Sequence, residues 1–189
     1  METRPALLPE LIEGPDLVLR AWRPDDVDDL AETITRNIEH LRPWMDWAAH
    51  EPLTPAARLE LIEGWTRDRD AGGDVVLGVF SDGTIVGGTG LHRRRGPHGV
   101  EIGYWVDADH TGRGIATEMA RLLTTAAFEV PGITFVEIHH DRANVASARV
   151  PAKLGYVFIG EAPAKIVAPG QIGVHCTWRV SADDWQGAR

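Results

Sequence analysis

The chain has 189 residues, 43% of them hydrophobic and 25% charged, which is enough for one domain with a sizeable core and marginal for two. A formal net charge of −9 argues against a nucleic-acid partner, because phosphate binding asks for a basic face. The single cysteine, Cys176, excludes a disulfide framework or a cysteine metal cage, and no apolar run is long enough for a membrane helix.

Residues Met1–Gly14 carry two prolines and no clean period, so they are expected to be a loose arm ahead of a single domain over residues 15–189. This start lacks the basic and apolar parts of a secretory signal, and a cytoplasmic location is the expectation. Asp16–Trp22 alternates like a strand. Pro24, Asp25 and Asp26 then suit a helix start, with Leu30, Ile34 and Ile38 at helical spacing behind them. A second helix is expected from Thr54, with Pro55 at its first position and Leu59, Ile62 and Trp65 on the buried side. Val75–Phe80 and Thr84–His92 flank Asp82-Gly83, a dipeptide that accepts the positive φ of a hairpin turn. Val100–Val106 reads as the next strand, followed by a glycine loop and a helix with Ile115, Met119, Leu122, Leu123 and Ala126 on one stripe. A strand at Thr134–His140, a short helix near Asn144–Leu154 and strands near Tyr156–Gly160 and Gly173–Val180 complete the pattern. A meander followed by strand–helix–strand implies an α/β (α+β mixed) domain, a mixed sheet with helices on both faces.

The glycine loop runs Thr111-Gly112-Arg113-Gly114-Ile115-Ala116-Thr117 into that helix. Its glycines open the backbone, and free N–H groups at a helix start attract an anion, so a phosphate-bearing ligand fits. No lysine follows Gly114 as a P-loop requires, and Thr117 stands where a dinucleotide fingerprint needs its third glycine. Glu137, on the next strand, is the one feature that keeps the dinucleotide reading open.

The surroundings of the loop resemble the GNAT acetyltransferases, and among them the RimJ/RimL-like N-acetyltransferases. Their phosphate loop is written [QR]-x-x-G-x-[GA]; Gly114 and Ala116 fit that small-residue spacing, while Thr111 departs from the usual Gln or Arg. "VEIGYWV" is similar to the family's bulged strand, and "NVASARVPAKLGY" to its N-x-x-[SA]-x-x-V-x-x-K-L-G-[FY] helix. "LVLRAWRPDD" and "LRPWMDWA" resemble first-strand and substrate-side motifs of the subfamily. The resemblance implies a sheet splayed into a V, with acyl-CoA as co-substrate between its arms. Acetyl is the family default and larger or acidic acyl groups occur among relatives. It implies pyrophosphate on the N–H groups of Thr111, Gly112, Arg113, Gly114, Ile115, Ala116 and Thr117, and the pantetheine arm along Trp105 and Val106. Asn144 is expected to cap its helix and to contact that arm.

Acyl transfer to an amine needs a neutral amine, a stabilised oxyanion and a protonated leaving thiolate. The resemblance implies Glu101 as general base acting through water, with a solvated strand carboxylate as the alternative. Many relatives carry a tyrosine acid at the position filled here by Pro151, so Ser147 is the remaining proton donor to sulfur. Its alternative is a hydroxyl bonded back into its own helix. Trp44, Asp46 and Trp47 suit an amine substrate, or surface packing of the two tryptophans. Tyr156 reads as core. His139 and His140 adjoin Asp141, yet neighbouring strand residues point to opposite faces, so no metal is expected. Arg93–Arg95 read as a solvated turn. The function implied is an acyl-CoA-dependent N-acyltransferase acting on a protein N-terminus, an amino acid or a small amine. A non-catalytic acyl-CoA sensor is the alternative, with a nucleotide-binding oxidoreductase behind it. Neither a nucleic acid nor a membrane is an expected partner; a homodimer is compatible with the reading.

Overall fold

The computed structural model describes residues 5–187. Eight strands form one sheet: β1 (Leu11–Glu13), β2 (Val18–Ala21), β3 (Val75–Ser81), β4 (Thr84–His92), β5 (Gly99–Val106), β6 (Phe135–Asp141), β7 (Val157–Pro163) and β8 (Val174–Ser181). Their spatial order is β1-β2-β3-β4-β5-β6-β8-β7. Every neighbouring pair is antiparallel except β5 and β6. Four α-helices accompany the sheet: α1 (Val27–Leu41), α2 (Pro55–Asp70), α3 (Ile115–Phe128) and α4 (Val145–Lys153).

Alternation along β3 divides the core into two layers. Val75, Leu77 and Val79 pack with Met119 and Leu123 of α3 and Val150 of α4. Val76 and Phe80 face the other way, against Leu30 and Ile34 of α1 and Ile62 of α2. Helices thus cover both faces of the sheet. Full burial of each such side chain contributes about 1.5–3 kcal/mol, so the α3 stripe alone fixes that helix firmly. The hairpin between β3 and β4 has Asp82 at φ 48° and Gly83 at φ 77°, the two positive values a tight primed turn requires. Thr54 caps α2 by accepting from the Ala57 N–H at 3.2 Å, with Pro55 beginning the helix as expected.

The structure departs from the sequence reading in several places. Within the segment expected to be a loose arm, Met1–Arg4 lie outside the described residues, but Leu8 is buried and Leu11–Glu13 pair with β2 as the outer strand. Three strand residues are too few to show a period, which is why the pattern was invisible. Pro24–Asp26 form a 3₁₀ turn rather than the first α turn. Asp26 is held there by Arg20 at 2.7 and 2.8 Å and by the Arg23 N–H at 2.7 Å. The expected buried side of α2 also contains Arg58, which is buried because it pairs with Glu51 at 2.7 Å. Among the described residues, no helix is long and apolar enough to cross a membrane.

Candidate active site

The site begins where two strands part. β5 and β6 pair only from Gly99↔Phe135 to Ile102↔Ile138. Beyond that point β5 stays with β4 up to Val106, while His139–Asp141 of β6 stay with β8. The inner edge of Gly103–Val106 therefore has no partner strand among the described residues, and a cavity of about 670 Å³ opens along the gap. Gly88 on β4 makes room for this stretch: a Cβ there would lie 2.4 Å from the Trp105 indole nitrogen.

At the end of β5 the chain is tied to α1 before it enters the glycine loop. The Asp107 side chain is buried, accepting from Arg36 Nε at 3.2 Å and from the Asp109 N–H at 2.9 Å. Burial pushes its carboxyl up, but the Arg36 bond and the backbone donor outweigh that and hold it below the ordinary range. The Ala108 N–H donates to Asn37 Oδ1 at 2.7 Å, and the Thr111 hydroxyl donates to the Ala108 carbonyl at 2.9 Å. Gly112 and Gly114 then adopt φ of 75° and 85°, with Gly114 as the N-cap of α3. The first bond of the helix runs from the Glu118 N–H to the Gly114 carbonyl at 3.0 Å. Ahead of it, the N–H groups from Gly112 to Thr117 have no hydrogen-bond acceptor among the described residues. A row of free donors on a helix start is an anion site. Thr111, Gly112, Gly114, Ile115, Ala116 and Thr117 line the cavity; Arg113 is exposed and does not.

Across the gap stands α4. Asn144 caps it, accepting from the Ser147 N–H at 3.1 Å, and both residues line the cavity. The Ser147 hydroxyl is not bonded back into its own helix: its partner is the Tyr104 hydroxyl on β5, at 3.1 Å. The same phenol lies 3.2 Å from the Ser147 carbonyl oxygen. Burial pushes the Tyr104 phenol up to about 12, so it is protonated at neutral pH.

The far end of the cavity carries a paired cluster. Glu101 accepts from Arg95 Nε at 2.9 Å, through Oε2. Glu137 is buried and accepts from Arg179 Nε at 2.8 Å, and its Oε2 lies 2.7 Å from His139 Nε2. Burial raises the Glu137 carboxyl, yet Arg179 and His139 together bring it below the ordinary range. With its carboxylate consumed in this way, Glu137 is not available to a ribose, and the dinucleotide reading loses its support. His139 stacks on His175 of β8 with centroids 4.7 Å apart. His140 points elsewhere, with Nδ1 donating to the Asp141 carbonyl at 2.8 Å and Nε2 accepting from the Trp178 indole at 3.0 Å. No metal-holding cluster occurs among the described residues.

A family model for the acetyltransferase (GNAT) domain matches residues 16–157. The chain belongs to the GNAT acetyltransferases. YdaF of Bacillus subtilis (strain 168), a candidate ribosomal N-acetyltransferase, is 28% identical over 174 residues, covering 92% of this chain and 95% of that protein. The structure of RimL, a ribosomal L7/L12 alpha-N-protein acetyltransferase solved with coenzyme A, superposes with a TM-score of 0.84. It is 20% identical, with 93% of this chain and 99% of that one covered. Mycobacterium smegmatis RimJ, solved with CoA-disulfide, gives 0.81 at 22% identity over 96% of this chain and 90% of that one. The splayed mixed sheet is the fold these enzymes share.

Within this GNAT domain the substrate-side residues are less concentrated than the sequence suggested. Trp44 lines the cavity, and its carbonyl accepts from Gln171 Nε2 at 3.4 Å. Trp47 is outside the cavity lining and packs at 6.4 Å from Trp105, bracing the strand edge. Asp46 is exposed, also outside the lining, and its side chain accepts from the adjacent Trp47 N–H at 2.8 Å. The arginine turn is not simply solvated, since Arg95 serves Glu101 and lies 3.3 Å from Glu137. Tyr156 is core, its hydroxyl 2.7 Å from the Thr124 hydroxyl.

Tyr104 and His175 were missed by sequence reasoning. For Tyr104 a signal existed: Pro151 deprives the Ser147 carbonyl of its helical donor, which calls for a replacement. For His175 none existed, because its place beside His139 depends on the β6–β8 register, in which His139 faces Thr177. Burial lowers the His175 imidazole below its ordinary 6.5, with His139 adding to the effect. The unfolded chain therefore binds this proton more readily, and stability rises with pH through the window. Melting temperature is expected to fall as the pH drops from about 6.5 towards 5, and His175→Gln should flatten that acid-side slope. An unchanged slope in the variant would assign the acid sensitivity to other groups.

Proposed function

We propose that this acetyltransferase carries an acetyl group from acetyl-CoA to the primary amine of a protein N-terminus, by direct attack in a ternary complex. The observation that carries the reading is the parting of β5 and β6 between a row of free N–H donors and the Ser147 hydroxyl. The names of YdaF and RimL support a protein acceptor.

The loop N–H groups from Gly112 to Thr117 would hold the pyrophosphate, and the inner edge at Trp105 and Val106, with Asn144 across the gap, would take the pantetheine arm. Preorganised donors of this kind need no rearrangement when the charged group arrives. Trp44 supplies an aromatic wall at the acceptor end. The contacts of Glu101 run through Oε2. Its Oε1 is proposed to draw the amine proton through a water. As the amine nitrogen bonds to the acyl carbon and the C–S bond breaks, Ser147 gives its hydroxyl proton to the departing sulfur.

The test is thiol release from acetyl-CoA with a panel of peptide N-termini, amino acids and small amines. Turnover with peptides is expected; turnover with small amines alone would overturn the acceptor, and binding without turnover would make the domain a sensor. With the best acceptor, Glu101→Gln should lower turnover more at neutral than at high pH, where the amine deprotonates unaided. A uniform loss across pH would give Glu101 a positioning role instead.

A further inference from the structure

Pro151 lies inside α4, and it has no N–H. In a regular helix the N–H of residue 151 would donate to the carbonyl of residue 147. The Ser147 carbonyl is thus orphaned by the sequence of its own helix, in the turn that also holds the Asn144 cap and the Ser147 hydroxyl. Half-buried and facing a cavity, such a group is costly to leave without a partner. The structure supplies one from the opposite arm of the parted sheet: the Tyr104 hydroxyl, 3.2 Å from that carbonyl and 3.1 Å from Oγ of the same serine.

We infer that Tyr104 is the positioning residue of Ser147, its phenol taking the place of the N–H that Pro151 removes and fixing the first turns of α4 against β5. This rests on the proposed role of Ser147 as proton donor. A phenol that stays protonated can only be the giver to a carbonyl, which accepts and never donates. The phenol proton goes to the carbonyl, and the phenol oxygen lies 3.1 Å from Oγ, so the turn that carries the serine is held at the cavity wall. The pairing also ties the two sides of the gap together, since Tyr104 belongs to β5 and Ser147 to the helix that follows β6. A tyrosine on the strand and a proline in the helix are accordingly two halves of one arrangement. The proline is expected to be tolerated poorly once the tyrosine loses its hydroxyl.

The experiment is a double-mutant cycle on Tyr104→Phe and Pro151→Ala, with Ser147→Ala in the same series, reading melting temperature, kcat and acetyl-CoA affinity. Phenylalanine keeps the ring and removes only the hydroxyl. Tyr104→Phe is expected to lower the melting temperature by about 2–4 °C, the shift that about 1 kcal/mol gives a domain of this size. It should also lower kcat by about tenfold with acetyl-CoA affinity little changed. Adding Pro151→Ala restores the helical donor, so the double variant should regain the melting temperature and most of kcat. A Tyr104→Phe enzyme with normal kcat and stability would overturn the inference. So would a double variant that recovers stability but not kcat, because the phenol would then act on the hydroxyl and not the carbonyl. A Ser147→Ala enzyme with normal kcat would instead sink the serine reading, and the melting-temperature coupling between positions 104 and 151 would then decide the carbonyl claim by itself.

Discussion

Replacing Ser147 by alanine is expected to lower kcat by roughly 10²-fold or more while leaving acetyl-CoA affinity nearly unchanged, since general acid assistance is worth about 10²–10⁴-fold. Ser147 lines the cavity one turn after the cap at Asn144, and Pro151, one turn further on, has no proton to offer. The hydroxyl is held by Tyr104 and makes no bond within α4, so removing it leaves the helix's own bonds intact. An effect on kcat without an effect on affinity is the mark of an interaction made as the sulfur leaves. A drop of less than about tenfold, measured on a preparation with normal melting temperature, would transfer the acid role to solvent.

Gly114→Val is expected to abolish acetyl-CoA binding. A Cβ at this position meets nothing within 4 Å, so steric conflict with neighbouring side chains is not the cause. The cause is the backbone: φ is 85°, a region that a β-branched residue hardly enters. Valine would drive the loop out of that conformation and turn away the N–H groups that face the cavity. In the parent protein, acetyl-CoA at about 100 times its dissociation constant should add about 2.7 kcal/mol of stability, a rise of about 5–10 °C in melting temperature. The variant should show no rise. Gly132→Val is the matched control, because Gly132 has φ of 90° and equally open surroundings but stands beyond the far end of α3. It should lose stability and keep the ligand-induced rise. Loss of that rise in both variants would indicate general damage and leave the loop without a specific part in binding.

What could be read from the chain was set by the range of the interactions involved. The Asp82-Gly83 turn, the Thr54 cap and the α3 stripe are local, depending on residues within a few positions of one another, and all occur where the sequence indicates. The glycine loop was legible for the same reason, since positive φ at Gly112 and Gly114 is a property of the residues themselves. Asn144 and Ser147 were legible through a motif, but the partner of Ser147 sits 43 positions away. Long-range pairs were the blind spot. Asp107 with Arg36, Glu137 with Arg179 and His139 with His175 come together only when the sheet order is known. Asp46 is a different case: a carboxylate between two tryptophans suggests a binding site, whereas in the structure it lies outside the cavity lining and accepts from the adjacent Trp47 N–H. The edge strand at Leu11–Glu13 was lost because a strand that short carries no readable alternation.

A crystal structure with bound acetyl-CoA would show whether the gap between β5 and β6 delivers the thioester to Ser147. Pyrophosphate oxygens are expected on the N–H groups from Gly112 to Thr117, and the thioester sulfur within hydrogen-bond reach of Ser147 Oγ while the Tyr104–Ser147 bond persists. Pyrophosphate elsewhere, or a sulfur out of reach of Ser147, would contradict it.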